Sequence, residues 1–128
     1  LTVAARDASR AAAALEALEG LSVRSAAIPW DGARAVQADV VVNATPVTDP
    51  AQLPLPPLGP ERLVVDLWYR PAVTRLVAAA REAGAAAFTG LGLLVHQAAL
   101  SFELWTGQAA PVAAMSAAAL AALAAPPA

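Results

Sequence analysis

The sequence predicts an α/β fold: a Rossmann-like parallel sheet with flanking helices, incomplete at its N-terminus, plus C-terminal helices. Three observations carry that expectation. Short apolar β-branched runs alternate with helical repeats along the 128 residues, which is the order of a layered parallel sheet. Glycine or proline stands at nearly every boundary between them. With 59% hydrophobic and 14% charged residues, the chain has enough apolar surface to bury a core.

Leu1 to Ala5 is short and apolar, as a buried parallel strand requires. Asp7 or Ser9 can N-cap the alanine-rich run to Leu18, which Gly20 closes. Leu21 to Ser25 reads as a second strand and Asp31 to Ala38 as a short helix. Asp39-Val40-Val41-Val42-Asn43 is a buried strand by its three valines. Six prolines between Thr45 and Pro60 then exclude regular structure. Leu63 to Leu67 has the continuous apolar character of a central strand, Asp66 excepted. Val73, Leu76, Val77 and Ala80 repeat at helical spacing to Glu82, and Gly84 ends that helix. Ala86 to Thr89 makes a last strand, after which Gly90-Leu91-Gly92 turns into a helix reaching about Trp105. Gly107 breaks it, and Pro111, at a first helical position, starts a final helix to Leu123, with a frayed tail from Ala124 to Ala128. The boundary at Gly107 separates residues 1–107 from a C-terminal helix and tail over residues 108–128.

Composition excludes several chemistries. There is no cysteine, hence no disulfide or thiolate site, and one histidine makes a histidine-built metal site a poor expectation, so no metal is expected. All eight basic residues are arginine, so a catalytic lysine has to come from elsewhere. A net charge of -2 without a basic stripe argues against nucleic acid. Although 37 residues are alanine, no window holds the roughly 20 large apolar residues of a membrane span. No signal peptide precedes the first strand, which begins at Leu1 rather than methionine. The expectation is a piece of a longer cytoplasmic protein.

Ligands of parallel sheets lie beyond the carboxyl ends of the strands. At the first of these, Arg6, helped by Arg10 a turn later, can clamp the 2'-phosphate of NADP, where an acid would select NAD; a solvated arginine is the plain alternative, and Asp7 pulls against the NADP reading. Asn43 and Thr45 present an amide and a hydroxyl where the valine strand leaves the sheet, for a ribose or a water, or simply as turn formers before Pro46. Tyr69 can donate its phenol to a substrate, with Pro71 fixing the turn, or serve as edge packing. Glycines at 90 and 92 let backbone approach a flat ligand, and Gln97 offers both kinds of hydrogen bond; two glycines alone are no dinucleotide fingerprint. His96 among alanines and leucines reads as helix packing or surface.

Together these segments resemble the nicotinamide-binding half of shikimate dehydrogenases. Asn43-Ala44-Thr45-Pro46-Val47 is similar to that family's NATP motif, with Thr48 at a usual glycine. Asp66-Leu67-Trp68-Tyr69-Arg70-Pro71, followed by Thr74 and Leu76, is similar to D-x-x-Y-x-P-x-x-T-x-L. Gly90 to Ala99, continued by Phe102-Glu103-Leu104-Trp105-Thr106-Gly107, resembles the long GLGMLVHQAA…FELWTG block. The resemblance runs from Leu1 to Met115, and it implies that residues 1–107 are a nicotinamide dinucleotide-binding (Rossmann-like) domain lacking its first strand and glycine-rich turn. It implies that Ala5, Arg6 and Asp7 stand at an Asn-Arg-Thr triplet holding the 2'-phosphate, with only Arg6 matching. It also implies that Asn43, Thr45, Leu67 and Gly90 line NADP, that Leu93 replaces a methionine near the nicotinamide, and that Tyr69 and Gln97 contact shikimate. The family's catalytic lysine and aspartate and its glycine-rich diphosphate turn have no counterpart in the chain, so the chain alone is expected to be inert. The implied activity of the intact protein is reversible NADPH-dependent reduction of 3-dehydroshikimate to shikimate, in chorismate and aromatic amino acid biosynthesis, by a monomer or homodimer. An NAD-using quinate/shikimate dehydrogenase and a non-catalytic nucleotide-binding paralogue are the alternatives.

Overall fold

The structure, a computed structural model, describes residues 1–18, 20 and 22–125. It divides into two compact units, Leu1–Ala38 with Ala51–Pro57 and Asp39–Pro50 with Leu58–Ala128.

In the first unit, β1 (Thr2–Ala5) pairs in parallel with β2 (Ala26–Pro29), from Thr2 opposite Ala26 to Ala5 opposite Pro29. Between them α1 (Ala8–Glu16) packs on both strands through Ala11, its buried position. Asp7 caps α1 by accepting from the backbone N–H groups of Ser9 and Arg10; Ser9 spends its hydroxyl on Asp7 rather than on the helix. The second strand lies C-terminal to the expected Leu21–Ser25, of which Leu21 falls outside the described residues. Register decides this: the Leu1 carbonyl accepts from Ala26 N–H at 3.0 Å, so the ladder with β1 starts there despite the weak β propensity of alanine and proline. Pro29, with no N–H, sits at the strand's last position. The helix expected over Asp31–Ala38 is a 3-10 segment at Trp30–Ala35.

In the second unit, β3 (Val40–Asn43), β4 (Leu63–Asp66) and β5 (Ala86–Thr89) form a parallel sheet in that order, with Asn43, Asp66 and Thr89 aligned at its carboxyl edge. Side chains alternate along β4, which turns Val64 and Asp66 toward the face that α2 (Arg75–Glu82) covers with Leu76, Val77 and Ala80, all five fully buried. Burial of each large apolar member contributes roughly 1.5–3 kcal/mol. The opposite face, with Val40, Val42 and Phe88, is exposed. Here α2 begins after Val73, because the Thr74 side chain accepts from Val77 N–H and caps it; Val73 is left exposed. Gly84, at φ +87°, closes it.

The remaining helices are α3 (Leu91–Thr106) and α4 (Val112–Ala124), packed on each other. Gly107 ends α3 in a left-handed conformation, its N–H donating to the Glu103 carbonyl at 2.9 Å. The Glu103 carboxylate then accepts from Ala110 N–H at 3.0 Å and ties the turn. Pro111 is the cap residue of α4 rather than its first helical residue. The proline-rich loop holds one 3-10 turn, Pro50–Gln52, where no regular structure was expected. Among the described residues no helix is long and apolar enough to cross a membrane.

The parallel strands fall into two ladders, β1–β2 and β3–β4–β5, with helices beside each, as an incomplete Rossmann-like sheet was expected to show. In the doubly wound order 3-2-1-4-5-6, β1 and β2 correspond to strands 2 and 3, and β3 to β5 correspond to strands 4 to 6. Strand 1 of that order pairs with both groups, and among the described residues no strand plays that part, so no ladder joins β1 to β3.

Candidate active site at the carboxyl edge of the β3–β4–β5 sheet

Where β3 and β4 leave the sheet, their loops enclose an open cleft of about 500 Å³ lined by Ala44, Thr45, Pro46, Leu67, Trp68, Tyr69 and Arg70. Both loops are built from side-chain hydrogen bonds that the strand ends supply. The Asn43 amide nitrogen donates to Asp66 Oδ1 at 3.1 Å and to the Val47 carbonyl at 3.0 Å. Its amide oxygen accepts from the Thr45 N–H at 3.1 Å and from Thr45 Oγ1 at 2.7 Å. Val47 N–H in turn donates to Thr45 Oγ1. Asn43 is therefore buried beneath the cleft and shapes its loop, while Thr45 stands on the wall.

The second loop is braced to the first. Trp68 donates its indole N–H to the Thr45 carbonyl at 3.0 Å, and its own backbone N–H reaches Asp66 Oδ1 at 3.3 Å. Tyr69 follows, 42% exposed, with its phenol available to a ligand. Arg70 donates through Nη2 to the Ala122 carbonyl near the end of α4, at 3.2 Å, so the loop is fastened at its far side too.

Gly90 enters from β5. Its N–H donates to the Trp68 carbonyl at 3.1 Å, and a Cβ here would lie 2.7 Å from the Leu67 carbonyl carbon and closer still to its oxygen. Glycine is required because backbone meets backbone where the end of β5 crosses the Leu67 carbonyl. Gly92 has open space around it and lies inside α3, not in a turn. Leu93 and Gln97 lie one turn apart on α3, exposed, in line with Leu100 and Leu104, and His96 is exposed as well. They are not on the cleft wall.

The remaining sequence-derived candidates belong to the tip of β1 in the other unit. Ala5 ends the strand, Arg6 is exposed, and Arg10 is open to solvent with its Nε 3.7 Å from Asp7 Oδ2. The Asp7 carboxyl is held below its ordinary range by the Ser9 hydroxyl and by the Arg10 and Ser9 N–H groups. Two exposed guanidinium groups at a strand tip suit a phosphate monoester; the cleft, with its apolar Leu67 and Trp68 and its polar Thr45 and Tyr69, suits a flat ring beside a hydroxylated ligand. Sequence reasoning passed over Asp66 and Thr74 as site components, and over Trp68 as a brace. Two signals were available: an acid at the end of an apolar strand, and the fixed Asp66 and Thr74 positions of the D-x-x-Y-x-P-x-x-T-x-L pattern. Among the described residues no group of three or more His, Asp or Glu is placed to hold a metal.

Parallel strands flanked by helices, with a ligand-sized cleft at their carboxyl ends, define a Rossmann-like nucleotide-binding fold. The family described as Shikimate 5'-dehydrogenase C-terminal domain matches residues 90–120. A shikimate dehydrogenase (NADP(+)) of Methanopyrus kandleri is 39% identical over 126 residues, covering 90% of this chain and 43% of that protein. Among solved structures, quinate dehydrogenase from Corynebacterium glutamicum in complex with NAD superposes with a TM-score of 0.83 at 33% identity, over 94% of this chain and 46% of that one. Shikimate 5-dehydrogenase from Thermus thermophilus in complex with NADP(H) and shikimate gives 0.75 at 39% identity, over 95% and 46%. The chain belongs to the shikimate dehydrogenase family, and it spans less than half the length of the curated relatives it matches.

Proposed function

We propose that residues 1–107 are the cofactor-binding part of an NADP-dependent shikimate dehydrogenase, which reversibly reduces 3-dehydroshikimate to shikimate in the cytoplasm, as part of aromatic amino acid biosynthesis. The observation that carries the reading is the braced cleft in which Thr45 and Tyr69 face one space across the ends of adjacent strands. A bound nicotinamide supplies or accepts the hydride. Thr45, Leu67 and the Gly90 turn would hold the nicotinamide, with Leu93 beyond that turn. The Tyr69 phenol and the Gln97 amide hold the substrate hydroxyl or carboxylate. Arg6, with Arg10, binds the 2'-phosphate. The catalytic lysine that the family resemblance implies for proton transfer would lie outside residues 1–128, since the chain has no lysine.

The test is a spectrophotometric assay of shikimate oxidation by the full-length protein with NADP and with NAD. Faster reduction of NADP is expected, and no absorbance change with either cofactor sinks the proposal. Arg6→Ala should raise KM for NADP roughly tenfold or more, for loss of a charge-assisted contact of about 1.5–3 kcal/mol, and leave NAD use nearly unchanged. Equal effects would remove Arg6 from the phosphate site.

A second reading, an NAD-using quinate/shikimate dehydrogenase, is favoured by Asp7. An acid at the tip of this strand suits a ribose 2'-hydroxyl better than a phosphate, and the quinate dehydrogenase relative is solved with NAD. Preference for quinate and NAD in the same assay would establish it.

A further inference from the structure

Asp66 is the one fully buried acid among the described residues, and nothing assigned so far uses it. Its Oδ1 accepts from the Asn43 amide and the Trp68 N–H, and its Oδ2 accepts from the Thr74 hydroxyl at 2.6 Å. Those three donors belong to the Thr45 loop, the Tyr69 loop and the cap of α2. We infer that Asp66 is a positioning residue that sets the spacing of Thr45 and Tyr69 across the cleft, with Thr74 fixing the orientation of its carboxylate. The inference rests on reading the cleft as the nicotinamide and shikimate site.

A carboxylate is suited to this place because it accepts only, and every group facing it here donates. An apolar filler would cost less to bury, and core packing is already provided by Val64, Leu76 and Val77. The hydrogen bonds continue upward from Asp66 through Asn43 to Thr45 and Val47, and the Trp68 indole closes the ring at the top of the cleft. Both arms are thus referenced to one buried group. Catalysis by Asp66 itself is excluded by its burial and by the engagement of both oxygens.

Asp66→Asn preserves volume but turns an NH2 group toward one of the three donors. In the full-length protein, with Trp68 left as the only tryptophan, we expect kcat for shikimate oxidation to fall tenfold or more, KM for shikimate to rise several-fold, and acrylamide quenching of Trp68 to at least double. Thr74→Val, which removes only the Oδ2 donor and the α2 cap, should give a smaller loss in the same direction and carries the test if Asp66→Asn does not fold. Thr74→Ser keeps the hydroxyl and should hold kcat within twofold even though its Tm drops. If Asp66→Asn and Thr74→Val lower Tm while kcat, KM and quenching stay at wild-type values, the inference is overturned, because a purely structural role moves Tm alone. If the wild type does not oxidise shikimate, the proposed activity fails and quenching decides alone: a doubling in Asp66→Asn upholds the positioning role, and no change overturns it.

Discussion

Asp7 and Asp66 each gather three hydrogen-bond donors near the carboxyl end of a parallel strand, and each governs the start of a helix: Asp7 caps α1 directly, and Asp66 holds the threonine that caps α2. Their surroundings differ. The donors on Asp7 come from Ser9 and Arg10, its near neighbours, in solvent. Those on Asp66 include an amide 23 residues earlier and a hydroxyl 8 residues later, out of water. A local, solvated cluster can be altered one residue at a time, because water replaces whatever is lost. A buried, non-local cluster transmits a change to every segment that it joins.

The cores beneath the two tips sharpen the contrast. Leu76 packs under the β4 tip with Val64 and Val77, whereas α1 buries only Ala11. Leu76→Ala should therefore be the most destabilising change proposed, by about 2–5 kcal/mol, read as a lowered urea midpoint. A cost below about 1 kcal/mol would mean that this unit repacks as freely as the other. Gly90→Ala comes next, on the order of 1–3 kcal/mol, since its Cβ would collide with the Leu67 backbone. Measured in the full-length protein, it should also weaken nicotinamide cofactor binding. Gly92→Ala, in open space, is the control, and equal losses in both would show that the close approach at Gly90 does not matter.

The sequence was legible where structure is local. The three valines of β3, the β5 segment and the glycines at 84 and 107 all lie where local rules put them. Helix α2 begins later than its apolar repeat because the Thr74 cap outweighed periodicity at Val73. The second strand was misplaced because its position is fixed by pairing with β1, not by its own residues: Val23 alternates like a strand, while Ala26 to Pro29 does not. The cleft residues Thr45, Leu67 and Tyr69 were named from strand ends and motif spacing. Asp66 stood out as an exception in an apolar run and, with Thr74, as a fixed position of the D-x-x-Y-x-P-x-x-T-x-L pattern, but neither signal reports its meeting with Asn43, 23 residues earlier.

The smallest expected effect belongs to Asp7. Its carboxyl is held below its ordinary value by the Ser9 hydroxyl and then by the Arg10 and Ser9 N–H groups, all of which favour the ionised form. A group whose folded pKa is depressed adds stability above its unfolded pKa, and that contribution is lost as pH falls through the folded value. The window therefore opens near the ordinary value of 3.8 and extends to more acid pH. Asp7→Asn keeps a capping oxygen but cannot ionise or engage the helix dipole as an anion. Wild type should melt slightly above Asp7→Asn near pH 6, with the gap closing as pH drops below about 3.8. Because the site is fully solvated, added salt should shrink the same gap at pH 6. A gap that ignores both pH and salt would make the capping geometry, not the charge, the whole of the role that Asp7 plays at this tip.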